Sequence, residues 1–343
     1  SDNLGGLDFK PSYDYISYFD KSDNHWVIAN KYMNHIDTVK CTSGITDYHD
    51  IRILNNGGYI IQSYDSLFID MSDIVDGGNQ NAKIKGVLRI QEFNSSHELL
   101  LDWFAFDHLN IEDFTNLNLT NSEFTWMHGN SIEIDYDNNL FFSDRRSSQV
   151  IKIHRKTGDV IWVLGGPLNV FQILNDPFGT FTKQHDARRL ENGNILLFDN
   201  GNGHNPPTSR VVEYQIDEQN MKATLIWEFV NPYGNVSASM GSVQRLPNQN
   251  TLINWGNVPT HGANIMEIDS NNNIVLELQF DIGSCYKVRK SNWEFSIPMA
   301  VGDSNLDGMI NIIDIIYQIN FILSDNPTNL FSLYKIDLNK DSN

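Results

Sequence analysis

Two kinds of hairpin alternate along this 343-residue chain, and that repeat restricts its fold more than any other feature. The first kind has a polar start, an apolar strand, a turn rich in Asn or Gly, and a return strand. Copies run from His49 to Gln62, His128 to Ser143, His185 to Asp199 and Gly241 to Trp255. The last three turns centre near residues 137, 192 and 248, in steps of 55 and 56. The first turn centres near 55, a step of 82 before the second, which predicts an insertion in the first unit. The second kind of hairpin often ends in Trp: Val87 to Trp103, Val150 to Trp162, Val211 to Trp227, and Ile265 to Phe280. Short Asn/Gly turns between apolar strands specify hairpins. Two hairpins make a four-stranded antiparallel sheet, and radial repetition of such sheets makes a β-propeller.

Four units start near 49, 128, 185 and 240. The ends supply a stray hairpin of each kind, Tyr15 to Tyr32 and Cys285 to Ile297. Joined, they predict a further blade built from both termini, which closes the ring and leaves no long unpaired edge. The expectation is therefore all-β, a β-propeller of five or six four-stranded blades over residues 1–298; an open stack of hairpins or a sandwich is the alternative. Cys41 and Cys285, the two cysteines, flank the expected closure. A disulfide there requires a Cα separation of about 4.4–6.8 Å, and two unpaired thiols are the other outcome.

Residues 299–343 follow a different pattern. Asp303-Ser304-Asn305-Leu306-Asp307-Gly308 through Asp314 has oxygen ligands at the spacing of a calcium loop: Asp303, Asn305, Asp307, Asn311 and Asp314, with the Met309 carbonyl between. Gly308 suits the sharp turn, and a short apolar helix should follow. A second loop starts at Asp337 but carries Ser342 where Gly is expected. The tail resembles a truncated type I dockerin, which implies calcium as its ligand and a cohesin-like partner. A fortuitous acidic turn is the alternative.

Charge narrows the partners. With 24 basic and 43 acidic residues the net charge is −19, which argues against nucleic-acid binding through phosphates. An anionic small substrate would have to meet a local basic cluster. No run of about 18 apolar residues exists to span a membrane. A start at Ser1 without a basic, apolar leader fits a processed or fragmentary chain, and the expected location is secreted, periplasmic or cell-surface.

Register predicts where such a cluster forms. In a four-stranded meander, first and third strands begin on the same face. His49, His128 and His185 sit at first-strand starts, and Arg145, Arg146, Arg210 and His261 lie at or before third strands. All seven are expected at one mouth of the channel. A histidine repeated for a shared structural hydrogen bond is the competing explanation. Guanidinium groups nearby argue against a cation such as zinc and for an anion with several oxygens.

Gln184-His185-Asp186-Ala187, then Leu190 to Gly201, then Ser209-Arg210-Val211-Val212, resembles the core of the PAPS-independent arylsulfate sulfotransferases. Trp126 to Ser131 and Ser147 to Trp162 are similar to the preceding blade of that family. The resemblance runs from about Thr46 to Trp293 and implies six blades, against five counted from the repeat. It implies sulfuryl transfer from an aryl sulfate ester to a phenol through a sulfohistidine, with no cofactor. Carried onto this chain, His128, His185 and Arg210 bind the sulfuryl oxygens and assist proton transfer. The nucleophile corresponds to His261. From register alone, His49, Arg145 and Arg146 are expected to add substrate contacts. A non-catalytic propeller binding an anionic ligand, a glycan or a protein is the second reading, and a structural module of a larger surface protein the third.

Overall fold

The computed structural model describes residues 6–30, 33–259, 262, 264–280, 284–291 and 311–323. Five sheets form among them, each a meander in chain order. The first blade comprises β1 (Gly6–Ser12), β2 (Tyr15–Asp20), β3 (His25–Asn30) and β4 (His35–Val39). The second comprises β5 (Ile45–Ile53), β6 (Tyr59–Ile69), β7 (Ala82–Phe93) and β8 (Leu99–Phe104), with β9 (Glu123–Thr125) parallel to β7. The third comprises β10 (Gly129–Ile134), β11 (Leu140–Asp144), β12 (Gln149–Ile153) and β13 (Val160–Leu164). In the fourth, β14 (Gln172–Leu174) flanks β15 (His185–Arg189), β16 (Ile195–Asp199), β17 (Arg210–Asp217) and β18 (Lys222–Val230). The fifth comprises β19 (Ser242–Arg245), β20 (Thr251–Asn254), β21 (Ile265–Ile268) and β22 (Ile274–Leu278).

The fold is thus all-β, a five-bladed propeller, and the six blades implied by the family resemblance do not form. The insertion expected in the first repeat is real. It is divided between the long β6–β7 hairpin and the stretch from helix α1 (Ala105–His108) to β9.

Among the described residues the blade expected from both termini does not form. The N-terminal blade draws all four strands from residues 6–39, and residues 284–291 form no strand. β1 is hard to read from Gly6-Leu7-Asp8-Phe9-Lys10-Pro11-Ser12 because the segment contains proline and its alternation is inverted, with Asp8 and Lys10 buried and Phe9 exposed. Pro11 is tolerated because β1 is an edge strand that pairs only with β2. The irregular segment instead contacts the first strands of several blades, through the Lys287 side chain and through its own backbone amides. Lys287 Nζ donates to the carbonyls of His49 (2.6 Å) and Asn130 (3.0 Å). Val288 and Lys290 pair with Ser242 and Gln244 of β19. Cys41 and Cys285 are both free thiols.

The core lies between neighbouring blades. Trp103, at the end of the second blade's outer strand, is buried and donates to the Gly158 carbonyl at 3.0 Å, in a turn of the third blade. Trp227 reaches Asn272 of the fifth blade in the same way, at 3.1 Å. The Trp that closes second-type hairpins therefore ties each of these blades to the next. The channel axis holds ions rather than apolar side chains. Asp50 of β5 and Asp186 of β15 are fully buried, and Arg188 bridges them at 2.9 and 2.8 Å.

The chain divides into two compact units, Ser1–Ile28 with His35–Ser291 and Ala29–Asn34 with Asn292–Asn343. The described part of the second unit contains helix α2 (Ile312–Leu323). Asn311 accepts from the Ile313 amide and Asp314 from the Asn311 amide, both at 2.8 Å, a reciprocal cap on the helix start. Asp303, Asn305, Asp307 and Met309 of the expected calcium loop, and the expected boundary at 298/299, lie outside the described residues. Among the described residues no helix is long and apolar enough to cross a membrane.

Candidate functional site

The first strands of the second and fourth blades both carry a His-Asp pair, His49-Asp50 within β5 and His185-Asp186 at the start of β15, and the two residues do different work. The aspartate is structural. Asp50 accepts from the Ile132 amide of the third blade at 2.8 Å, and Asp186 from the Val243 amide of the fifth at 3.0 Å. The histidine points the other way, into the mouth. His49, His128 and His185 line one cavity of about 310 Å³ with Lys21, Tyr48, Arg145, Ser239, Met240 and Tyr286. The three imidazoles do not share a bonding pattern, so the repeat is not there for a common structural hydrogen bond.

His49 has a carboxylate behind it. Its Nδ1 lies 2.7 Å from Asp47, and Gln62 donates to the same carboxylate at 2.7 Å. Burial works against the Asp47 charge, but His49 and these hydrogen bonds outweigh it and hold its pKa below the usual value. Gln62 also donates to the Gly129 carbonyl at 2.9 Å. A Cβ at Gly129 would stand 2.7 Å from the Gln62 amide oxygen, so glycine beside His128 makes room for this bridge.

His185 is oriented by a neutral partner. Its Nδ1 lies 2.6 Å from Asn200 Oδ1. The Asn200 amide nitrogen donates to Ser237 and Met240, so its oxygen faces the ring and Nδ1 carries the proton. Burial pushes the His185 pKa well below normal. Burial, with His49, Arg145 and Arg146 nearby, brings His128 down to about 3. Both rings are neutral near pH 7. The His49 and His128 rings meet edge to face, with centroids 4.5 Å apart.

Arg145 supplies the cavity's guanidinium. One nitrogen donates to the Ala238 carbonyl at 2.9 Å, while Nε is buried without an acceptor. Arg145 makes no ion pair with a carboxylate among the described residues. Arg146 is exposed and does not line the cavity.

Arg210 is not in the cavity, contrary to the expectation. It is fully buried and saturated by carboxylates: Asp176 at 3.0 and 2.9 Å, Asp199 at 2.9 Å and Glu228 at 2.8 Å. Register placed the residue at the right end of β17 but could not tell that its side chain turns into the sheet. It acts at a distance. Asp199 also accepts from the Thr182 and Gly201 amides, which sets the turn that aims Asn200 at His185. His204, from the loop after β16, is buried in the same cluster, 2.8 Å from Asp199 and stacked on Phe178. His261 lies outside the described residues.

Sequence reasoning missed Asp47, Gln62, Asn200 and Tyr286. Asp47 sits two residues before His49, a spacing that carries no recognised motif. Tyr286 belongs to a segment expected as strand.

The chain matches the arylsulfotransferase (ASST) family over residues 18–287. No curated protein matches it significantly. Solved structures with similar folds include a protein of unknown function from Bacteroides caccae, at 14% identity and TM-score 0.48, covering 82% of this chain and 83% of that one. Another is an inactive virginiamycin B lyase from Staphylococcus aureus with quinupristin, at 11% identity and TM-score 0.43, covering 80% and 70%. Because the family match extends over most of the propeller, including the three blades that carry His49, His128 and His185, the chain belongs to the arylsulfotransferase (ASST) family.

Proposed function

We propose that the protein transfers a sulfuryl group from an aryl sulfate ester to a phenolic acceptor in the cavity at the propeller mouth. The observation that carries this reading is the convergence of His49, His128 and His185 on Arg145, whose buried Nε lacks an acceptor. Sulfuryl transfer resembles phosphoryl transfer in having a loose transition state with charge on peripheral oxygens, which a guanidinium can grip. Tyr48, Met240 and Tyr286 offer walls for an aryl ring. A neutral imidazole is the attacking form, and splitting the reaction at a sulfohistidine lets donor and acceptor use one site in turn. His261 is the carrier that the family correspondence selects. His185, neutral with its Nε2 lone pair unprotonated, is the described residue best suited to the same role.

The test is release of 4-nitrophenol from 4-nitrophenyl sulfate with and without a phenol, followed by mass spectrometry for a sulfated histidine peptide. Release that phenol accelerates, with a histidine peptide heavier by about 80 Da, the mass of SO3, supports the reading. Retention of the ester without release points to a binding propeller.

For the tail we propose that Asp303, Asn305, Asp307, Asn311, Asp314 and the Met309 carbonyl hold calcium in a dockerin-like loop of a secreted or cell-surface protein, with a cohesin-like partner.

A further inference from the structure

The cavity holds three imidazoles, and only one of them is backed by a carboxylate. Asp47 is buried and receives the His49 Nδ1 at 2.7 Å, the His49 amide at 2.8 Å and the Gln62 amide at 2.7 Å. This fixes the ring with Nε2 as its remaining nitrogen. His128 meets the ring edge-on at 4.5 Å, Tyr48 stacks on it at 4.2 Å and Tyr286 closes the third side at 5.5 Å. Lys287 engages only its backbone carbonyl. No other charged side chain contacts the imidazole among the described residues. His128 and His185 lack an equivalent carboxylate, and burial favours their neutral forms.

Resting on the sulfotransferase reading, we infer that His49 is the catalytic acid and base of the transfer and Asp47 its positioning residue. In the first half-reaction the carrier nitrogen bonds to sulfur, and the bond from sulfur to the aryl oxygen breaks with its electron pair on oxygen. The proton on His49 Nε2 moves to that oxygen, releasing a phenol and a neutral imidazole. In the second half the acceptor phenol gives its proton to His49 Nε2 as its oxygen bonds to sulfur. The bond from sulfur to the carrier breaks, and its electron pair returns to nitrogen. The carboxylate stabilises the imidazolium that enters the first half and is restored by the second, a form that neither His128 nor His185 is built to take.

Leaving-group dependence tests this on the full chain. 4-Nitrophenolate leaves without a proton, whereas phenolate needs one. His49→Gln should lower kcat for phenyl sulfate by about 10²–10⁴-fold and for 4-nitrophenyl sulfate by less than about tenfold. Asp47→Asn, which keeps the side chain's shape, should show the same imbalance more weakly with KM nearly unchanged. It carries the test should His49→Gln not fold. Equal losses on both esters, or none, overturn the assignment while leaving the sulfotransferase reading in place. Failure of the unaltered protein to release phenol from either ester overturns both.

Discussion

His49 and His128 come from neighbouring blades, 79 positions apart in the numbering, yet their rings meet edge to face with centroids 4.5 Å apart. The contact depends on both inner strands starting at the same mouth. It places an imidazole backed by Asp47 against one held neutral by burial.

Arg145 should govern affinity for the sulfate group. Arg145→Gln removes a guanidinium that makes no carboxylate pair among the described residues, and loss of a charge-assisted hydrogen bond costs about 1.5–3 kcal/mol. The expected fall in kcat/KM for an aryl sulfate is about tenfold to a hundredfold, measured by steady-state kinetics. Binding of an uncharged phenol should be nearly unaffected.

Arg210 should matter for stability first. Arg210→Ala leaves the buried carboxylates of Asp176 and Asp199 without their cation, a loss of about 3–5 kcal/mol for a broken buried pair. Urea denaturation followed by Trp fluorescence reads it. A variant as stable as the parent would show that the carboxylate cluster does not hold the β16–β17 turn together.

Acid should destabilise the propeller partly through its cavity histidines. His128 has a folded-state pKa of about 3 and His185 one well below normal, both depressed by burial. Each contributes stability that is present above the unfolded value of about 6.5 and lost as pH falls from there towards the folded value. The unfolded chain binds more protons in that window, so the slope has this sign. Replacing His128 with Asn removes its share. The difference in urea midpoint between variant and parent should therefore shift in the variant's favour between pH 7 and pH 5, by at most about 1.4 kcal/mol per pH unit.

Trp103→Ala should destabilise the junction of the second and third blades. The side chain is buried, stacks on His108 at 5.6 Å and donates to Gly158. Truncating a buried Trp costs about 3–5 kcal/mol. Trp103→Phe should recover much of the packing but not the hydrogen bond, and thermal melting would separate the two.

Calcium should bind the full chain through the tail. Equilibrium dialysis with Asp303→Ala and Asp307→Ala together is expected to lose one ion relative to the parent. An unchanged stoichiometry would reject the loop.

Most of the repeat could be read along the chain because hairpins are local. Turn chemistry and strand alternation lie within about a dozen residues, so 16 of the propeller's strands in blades two to five were visible as pairs, and their register placed His49, His128 and His185 at one mouth. The N-terminal blade was not legible in full, because β1 contains Pro11 and buries its polar residues, Asp8 and Lys10, while exposing Phe9.

Side-chain direction at the site was beyond the sequence. Arg145 follows the second strand of its blade, as Asn200 does in the next, whereas Arg210 opens a third strand opposite Asp199, as Gln149 does opposite Asp144; the repeat puts both arginines at the same end of their blades without giving either side chain's direction. Asp176, from a loop before β15, and Glu228, from β18, draw one guanidinium inward; no carboxylate does so for the other. Asp47, Gln62 and Asn200 likewise became site residues only through partners in space. Backbone pattern is set by neighbours in sequence, so the chain by itself determined the blades and the face on which its histidines gather. The burial and charge around each polar side chain are set by segments far apart in sequence, and only the closed propeller decided which of those side chains reach the cavity.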